Sequence, residues 1–387
     1  MRRLVLSLFL PASVLCAEPI AQRAQLQPGA PMTVEADAKE GVYLVTVVYG
    51  GDDVDSETTM KAELRRVYEI NLRVPKGGSV KRTYRISVHV PEIAGGGKVG
   101  LKSREVGTAS WDDKLSLEFL GSAARVRSVT IEPDTAKPLV VRLLGDSTMT
   151  DSTSEPYYGW GQVFPVLFDE GVVIDNHAES GLALKSFEGS RRLTKVLSLV
   201  GPGDPVFIQF GHNDQKEKGE GVGAFTTYAE RLRHYVKSIR EKGGLPVIVT
   251  SVARRRFDDQ GKVFESLGDF PEAARRVARE LGVPLIDLNE SSKKMYQAMG
   301  AEPSKAVFLH IPASAKKSAI ADDTHFSSFG AYEVSRCVSA ELAARLPALA
   351  KHLRPEVAQF DPARPDAPAD VKIPASRSQL VVKPDGN

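Results

Sequence analysis

Cysteine is nearly absent from this chain: of 387 residues only Cys16 and Cys337 carry a thiol. Cys16 closes a short N-terminal stretch with the marks of a secretory signal, namely Met1-Arg2-Arg3, the apolar run Leu4 to Leu10, Pro11, and the small-residue end Cys16-Ala17. Cleavage there would leave Cys337 alone, which excludes an internal disulfide and any four-cysteine zinc site. Long hydrophobic runs are also missing, since Leu4 to Leu10 is too short to span a bilayer as a lasting anchor. Charge of one sign is scarce too: 51 basic and 49 acidic side chains nearly cancel, and loss of Arg2 and Arg3 with the leader makes the balance even. A balanced chain has no bulk attraction to nucleic acid or to an anionic membrane. The acidic group Asp52, Asp53, Asp55 and Glu57 lacks the glycine and distal glutamate of a calcium-binding EF-hand, so it is expected to be a solvated hairpin tip. No metal or organic cofactor is expected.

What is present is a foldable composition, 42% hydrophobic and 26% charged. From about Gly41 to Ile131 apolar residues recur with a period of two, as in Tyr68-Ile70-Leu72-Val74, Tyr84-Ile86-Val88-Val90 and Leu115-Leu117-Phe119. That period predicts half-buried antiparallel strands, and a β-sandwich. After Glu132-Pro133-Asp134 the pattern changes to continuous apolar runs: Leu139-Val140-Val141, Val172-Val173-Ile174, Val206-Phe207-Ile208, Val247-Ile248-Val249 and Pro284-Leu285-Ile286. Such runs suit parallel strands covered on both faces. Helical stripes lie between them, among them Phe225, Tyr228, Ala229, Leu232, Tyr235, Val236 and Ile239, then Pro271 to Leu281 and Ala331 to Leu346. The expected architecture is an α/β, doubly wound parallel-sheet domain preceded by an antiparallel β-sandwich domain. The divisions are 1–17 for the signal, 18–136 for the sandwich, 137–350 for the α/β domain, and 351–387 for a proline-rich tail that either wraps the surface or is disordered.

Ligands of an open parallel sheet bind beyond the carboxyl ends of its strands. Gly145-Asp146-Ser147 follows the first apolar run, Asn176-His177-Ala178-Glu179-Ser180-Gly181 the second, and Phe210-Gly211-His212-Asn213-Asp214 the third. Asp322-Asp323-Thr324-His325 comes just before the last helix. A serine hydroxyl is a weak nucleophile and requires a base, which a histidine titrating near neutrality can be. A carboxylate three residues earlier can fix the useful tautomer. The N–H groups of Ser147 and Gly181 and the Asn213 amide have the chemistry of an oxyanion hole. The expected set is therefore Ser147 as nucleophile, His325 as base and then acid, and Asp322 as its orienting acid.

These four segments resemble the blocks of the SGNH hydrolase superfamily. Gly-Asp-Ser-Thr, Gly159-Trp160-Gly161-Gln162, Asn176 to Gly181 and Phe210 to Asp214 look further like rhamnogalacturonan acetylesterases and their bacterial relatives, over about Leu139 to Leu346. The N-terminal sandwich resembles the extra, galactose-binding-like domain of multidomain members. The resemblance implies a secreted or periplasmic serine esterase that removes acetyl groups from pectin-derived sugars, with an acetylated polysaccharide or oligosaccharide as its partner. Acetylxylan or another acyl ester is the alternative within the same chemistry. A carbohydrate-binding protein with an inactive hydrolase scaffold is the alternative from another class. Asp323 stands where relatives often carry a small residue.

Other residues stay open between two readings. Trp160 suits either a sugar platform or the packing of a pocket wall. Arg254 and Arg255, on the rim after Val249, suit either uronate binding or a basic turn answering Asp258 and Asp259. Asn213 could instead serve an unusual turn conformation. His212 and His177 are expected to shape their loops, and His89, His234 and His352 to lie on the surface. Every expected catalytic group falls after Lys137, which predicts that the segment from there on suffices for small-ester hydrolysis.

Overall fold

The computed structural model describes residues 20–22, 32–313 and 318–376. The expected signal, 1–17, and the end of the tail, 377–387, lie outside the described residues.

The N-terminal alternation forms two four-stranded antiparallel sheets. One runs in the order Ile20–Gln22, Val126–Pro133, Gly41–Tyr49, Val80–Val88, and the other Met32–Asp37, Lys114–Ala123, Ser56–Ala62, Arg66–Val74. Side chains of one parity from both sheets meet in a single apolar cluster, with Val45, Val47, Ile86 and Val129 from the first and Val34, Met60, Leu117 and Phe119 from the second. The acidic tip is tied down by cations: Arg125 pairs with Asp53 at 3.0 Å and Arg127 with Asp52 at 2.6 Å.

All five continuous runs become strands of one parallel sheet, ordered Val172–Asn176, Leu139–Gly145, Pro205–Gln209, Leu245–Val249, Leu285–Ile286. Because alternate residues face opposite ways, Val141 and Leu143 enter one core and Leu144 the other. The first strand lies between the second and the third, so the crevice at its carboxyl end is the topological switch point where such folds bind ligands. The helix Ala229–Glu241 buries Leu232, Tyr235, Val236 and Ile239 as the stripe requires. Phe225 leaves that stripe: residues Ala224–Tyr228 form a wider π turn, and the ring is exposed beneath Arg276. The expected helix Ala331 to Leu346 divides at Glu341 into Ser328–Ala340 and Leu342–Arg345. A hairpin of Phe308–Ile311 and Ile320–Phe326, absent from the strand pattern, precedes it. No helix among the described residues is long and apolar enough to cross a membrane.

The two regions meet through buried charge as well as apolar contact, since Val67 of the strand Arg66–Val74 is buried in the same core cluster as Val141, Leu143 and Phe164. Lys61, fully buried, donates to the Tyr158 hydroxyl at 2.9 Å, the Pro374 carbonyl at 2.7 Å and Ser376 Oγ at 3.0 Å. Arg66 pairs with Asp151 at 3.0 Å, and Arg65 with Glu155 at 2.9 Å. Residues 351–376 run back across the junction: Arg354 reaches Glu69, the Lys372 carbonyl accepts from Asn71, and Ile373 is buried. Asp151 and Glu155 thus draw their counter-charges from the N-terminal sheets, which the segment from Lys137 onward would have to do without.

Candidate active site

Ser147 is set by the turn that ends strand Leu139–Gly145. The Asp146 carboxylate accepts from the Thr148 N–H at 3.0 Å and the Thr148 hydroxyl at 2.8 Å, while the Asp146 carbonyl accepts from Met149 and Thr150. The turn is braced from below: Gln209 donates to Thr148 Oγ1 at 2.6 Å and accepts from the Trp160 indole at 2.8 Å. Gly161 permits this approach, since a Cβ there would lie 2.4 Å from the Met149 carbonyl oxygen. Trp160 is consequently sealed at 0% exposure, which corrects the sugar-platform reading: a buried ring offers no face to a ligand.

The second loop docks on the first. Asn176 donates to the Met149 carbonyl at 2.9 Å, Thr150 to the Ala178 carbonyl at 2.8 Å, and the Glu179 N–H to the Gly145 carbonyl at 3.1 Å. The hairpin delivers the remaining groups. His325 Nε2 lies 2.9 Å from Ser147 Oγ, and its Nδ1 2.9 Å from Asp322 Oδ2. Burial pushes the Asp322 carboxyl up, but hydrogen bonds from the His325 ring and from the His325 and Thr324 N–H groups overcome this and hold it at about 2. An ionised Asp322 assigns the imidazole proton to Nδ1, leaving Nε2 to accept from the serine hydroxyl.

The neighbouring Asp323 turns away, accepting from Arg255 at 2.8 Å, Arg256 at 3.0 Å and His310 at 2.9 Å. This corrects the reading of Arg255 as a substrate-binding residue: its guanidinium is spent on Asp323, the Ala301 carbonyl and Ser304. It also replaces Asp258 and Asp259 as the acids answering this basic turn. Arg254 is half-buried, where burial and Arg256 push its pKa down and Asp146, Glu265 and Asp322 oppose that shift. Its guanidinium donates to the Ser266 carbonyl at 3.5 Å, within electrostatic reach of Asp146 and Asp322.

Asn213 has an ordinary right-handed backbone, φ −102°, which removes the turn-conformation reading. Its amide donates to the Leu182 carbonyl at 3.1 Å, and the second amide proton is available to an oxyanion. Among the described residues neither the Ser147 nor the Gly181 N–H has a hydrogen-bond acceptor. Asn213→Ala is expected to lower kcat by about a hundred- to a thousandfold, as loss of one oxyanion donor does, and steady-state assay of a small acetyl ester checks it.

The other motif histidines engage elsewhere. His212 Nε2 donates to the Val252 carbonyl at 2.8 Å, and burial pushes its pKa down to about 4, so the ring stays neutral. His177 bonds Asp175 at 2.9 Å and stacks on His89, which is 3% exposed; the expectation of a surface His89 is thereby corrected. His89, Asp175 and His177 bring potential metal-ligand atoms within 4.8 Å of one another. Arg142 already supplies a cation to the same Asp175 carboxylate, which opposes a metal there.

A buried serine, imidazole and carboxylate in line, at the switch point of a parallel α/β sheet, define a serine hydrolase. Comparison with known proteins agrees. Residues 143–331 match the model of the GDSL-like Lipase/Acylhydrolase family. The rhamnogalacturonan acetylesterase RhgT of Bacillus subtilis is 43% identical over 208 residues, covering 52% of this chain and 89% of the relative. A second Bacillus subtilis protein, named "Probable rhamnogalacturonan acetylesterase YesY", is 36% identical over 51% of this chain and 90% of its own length. The rhamnogalacturonan acetylesterase of Emericella nidulans is 25% identical over 47% of this chain. The chain belongs to the GDSL-like lipase/acylhydrolase family and is a carboxylic ester hydrolase.

Sequence reasoning reached the serine, histidine and acid but missed the groups that the N-terminal sheets send to the second loop. Lys102 donates to the Ser180 carbonyl, and Arg104 to Glu179 Oε1 at 2.9 Å and to the Ser180 carbonyl at 3.0 Å. Neither residue sits in a motif, and nothing in its local pattern distinguishes it from a solvated loop cation.

Proposed function

We propose that this protein is an exported acetylesterase acting on pectin-type polysaccharide through an acetyl-enzyme. The observation that carries the reading is the 2.9 Å approach of His325 Nε2 to Ser147 Oγ, with Asp322 behind the ring. Ser147 Oγ attacks the acetyl carbonyl while its proton passes to His325 Nε2. The carbonyl electrons move onto an oxygen held by the Ser147 and Gly181 N–H groups and the Asn213 amide. Collapse breaks the bond to the sugar oxygen, which leaves as an alcohol with the proton from His325. Water, deprotonated by the same nitrogen, then attacks the acetyl-serine and releases acetate. The N-terminal sheets, read as a β-sandwich domain, and the similarity to rhamnogalacturonan acetylesterases support a polymeric sugar ester as substrate.

Acetate release across acetylated pectin, xylan and mannan tests the substrate class. Preference for pectic material supports the proposal, and faster release from xylan replaces it with an acetylxylan esterase. Arg254 gives the same experiment residue resolution. Pectic fragments carry uronate carboxylates, which an arginine fork can bind in two-point fashion. Arg254→Ala is expected to raise KM for acidic oligosaccharides about tenfold, the worth of a charged hydrogen bond, and much less for a neutral acetyl ester. High salt should shrink that difference in the wild type. Equal losses on both substrates would assign Arg254 to holding the serine turn instead.

A further inference from the structure

Residues Glu179 to Leu182 form a β-turn, closed by the Leu182 N–H on the Glu179 carbonyl at 3.3 Å. Gly181, third in the turn, has φ +76°, the value of a type II turn. Type I and type II turns differ chiefly in the orientation of their central peptide, here Ser180–Gly181. The N–H of that peptide is the expected oxyanion donor of the proposed mechanism. A trans peptide points its N–H opposite to its C=O, so whatever grips the Ser180 carbonyl also aims the Gly181 N–H. Two cations grip it, both from the loop between the N-terminal strands Val80–Val88 and Lys114–Ala123. These are Lys102, and Arg104 at 3.0 Å. Arg104 is itself anchored by the buried Glu179 carboxylate, the first residue of the same turn.

We propose that Lys102 and Arg104 are positioning residues for ester hydrolysis: by bonding the Ser180 carbonyl they hold the Glu179–Leu182 turn in its type II form and keep the Gly181 N–H aimed at the oxyanion. The N-terminal domain thus completes the oxyanion hole from behind, without touching substrate. Hydrogen bonds from cations to the carbonyl also polarise the peptide and strengthen its N–H as a donor. The inference rests on the serine-esterase reading, which supplies the oxyanion.

The test uses the full chain and two variants, Lys102→Met and the paired Arg104→Met/Glu179→Gln, the second arranged so that no buried carboxylate is left without its partner. Each is expected to lower kcat for a small acetyl ester about tenfold. That is less than deletion of an oxyanion donor and within the reach of a misplaced group. KM should change less than twofold. A small alkylboronic acid, whose tetrahedral serine adduct places an oxygen in the hole, should lose affinity in step with kcat. Lys102→Arg, which keeps a charged donor, should restore most of both. A kcat and boronic-acid affinity within twofold of wild type in either folded variant would overturn the proposal. So would a fall confined to the melting temperature or to KM, because that is what a purely structural contact produces. If Lys102→Met does not fold, Lys102→Ala, which also removes the donor, is read by the same criteria. Ser147→Ala separates the layers: should it retain turnover, the serine reading fails; should it be inactive beside normal Lys102 and Arg104 variants, only this inference fails.

Discussion

Ser147→Ala should lower turnover of an acetyl ester by about a millionfold, close to what removal of a whole triad does in a serine hydrolase. The reason is the arrangement rather than the serine alone. His325 Nε2, 2.9 Å from Ser147 Oγ, is placed to take the proton of that hydroxyl. His325→Ala is therefore expected to fall by a similar factor, and the double variant by no more than either single one. A residual rate about 10³- to 10⁴-fold above that in water should survive in all three, supplied by the oxyanion donors and by substrate binding. Rapid-mixing assay with a chromogenic acetyl ester checks both points, since an acetyl-enzyme gives a burst of one alcohol per Ser147 and the variants give none. A Ser147→Ala protein of near-native activity, free of contaminating esterase, would mean that the nucleophile is elsewhere.

The catalytic side chains were legible because each stands in a turn whose residue types the chemistry and the backbone both demand. Gly145-Asp146-Ser147 ends a buried strand, and Asp322 precedes His325 by three residues, so local spacing carried the information. The junction between the regions was not legible, for a physical reason. Period-two alternation tells which side chains share a face of a sheet but not what covers the second face. Ser87 and His89 lie opposite Tyr84 and Ile86 in parity and so read as solvent-facing. The hydrolase region covers them: Ser87 donates to the Ile174 carbonyl at 3.2 Å and His89 bonds Asp175 at 3.3 Å. Lys61 and Arg66 are hidden from the sequence for a related reason: a buried cation is recognisable only by partners such as Glu155 and Asp151, far away in sequence. Trp160 differs, because its sequence suits a sugar platform and a packing role equally; only its full burial decides for packing, beside Gly161, where the Met149 carbonyl comes close.

Asp322→Ala should lower kcat by about 10⁴-fold and Asp323→Ala by far less, although the two carboxylates are adjacent in sequence. Asp322 accepts from His325 Nδ1 at 2.9 Å and from the His325 N–H at 3.0 Å, so its loss frees the ring to rotate and to take the wrong tautomer. A factor near 10⁴ is the usual worth of a triad acid, smaller than that of the nucleophile because the imidazole alone keeps some basicity. Asp323 holds Arg255, Arg256 and His310, all directed away from Ser147, so its removal should appear in thermal stability before it appears in kcat. The pH dependence follows from the depressed pKa of Asp322. With the folded carboxyl at about 2, below the ordinary value of an aspartate, its contribution to stability is complete above the unfolded value and is lost as pH falls through the folded one. Wild-type unfolding should therefore steepen below about pH 4, and Asp322→Asn should flatten that limb while leaving the alkaline side unchanged. Urea titrations from pH 2 to pH 8 measure the slope, and kcat of the two alanine variants measures the order. A reversed order, with Asp323→Ala the more damaging, would move the role of triad acid to the residue facing His310 and leave Ser147 and His325 where they are.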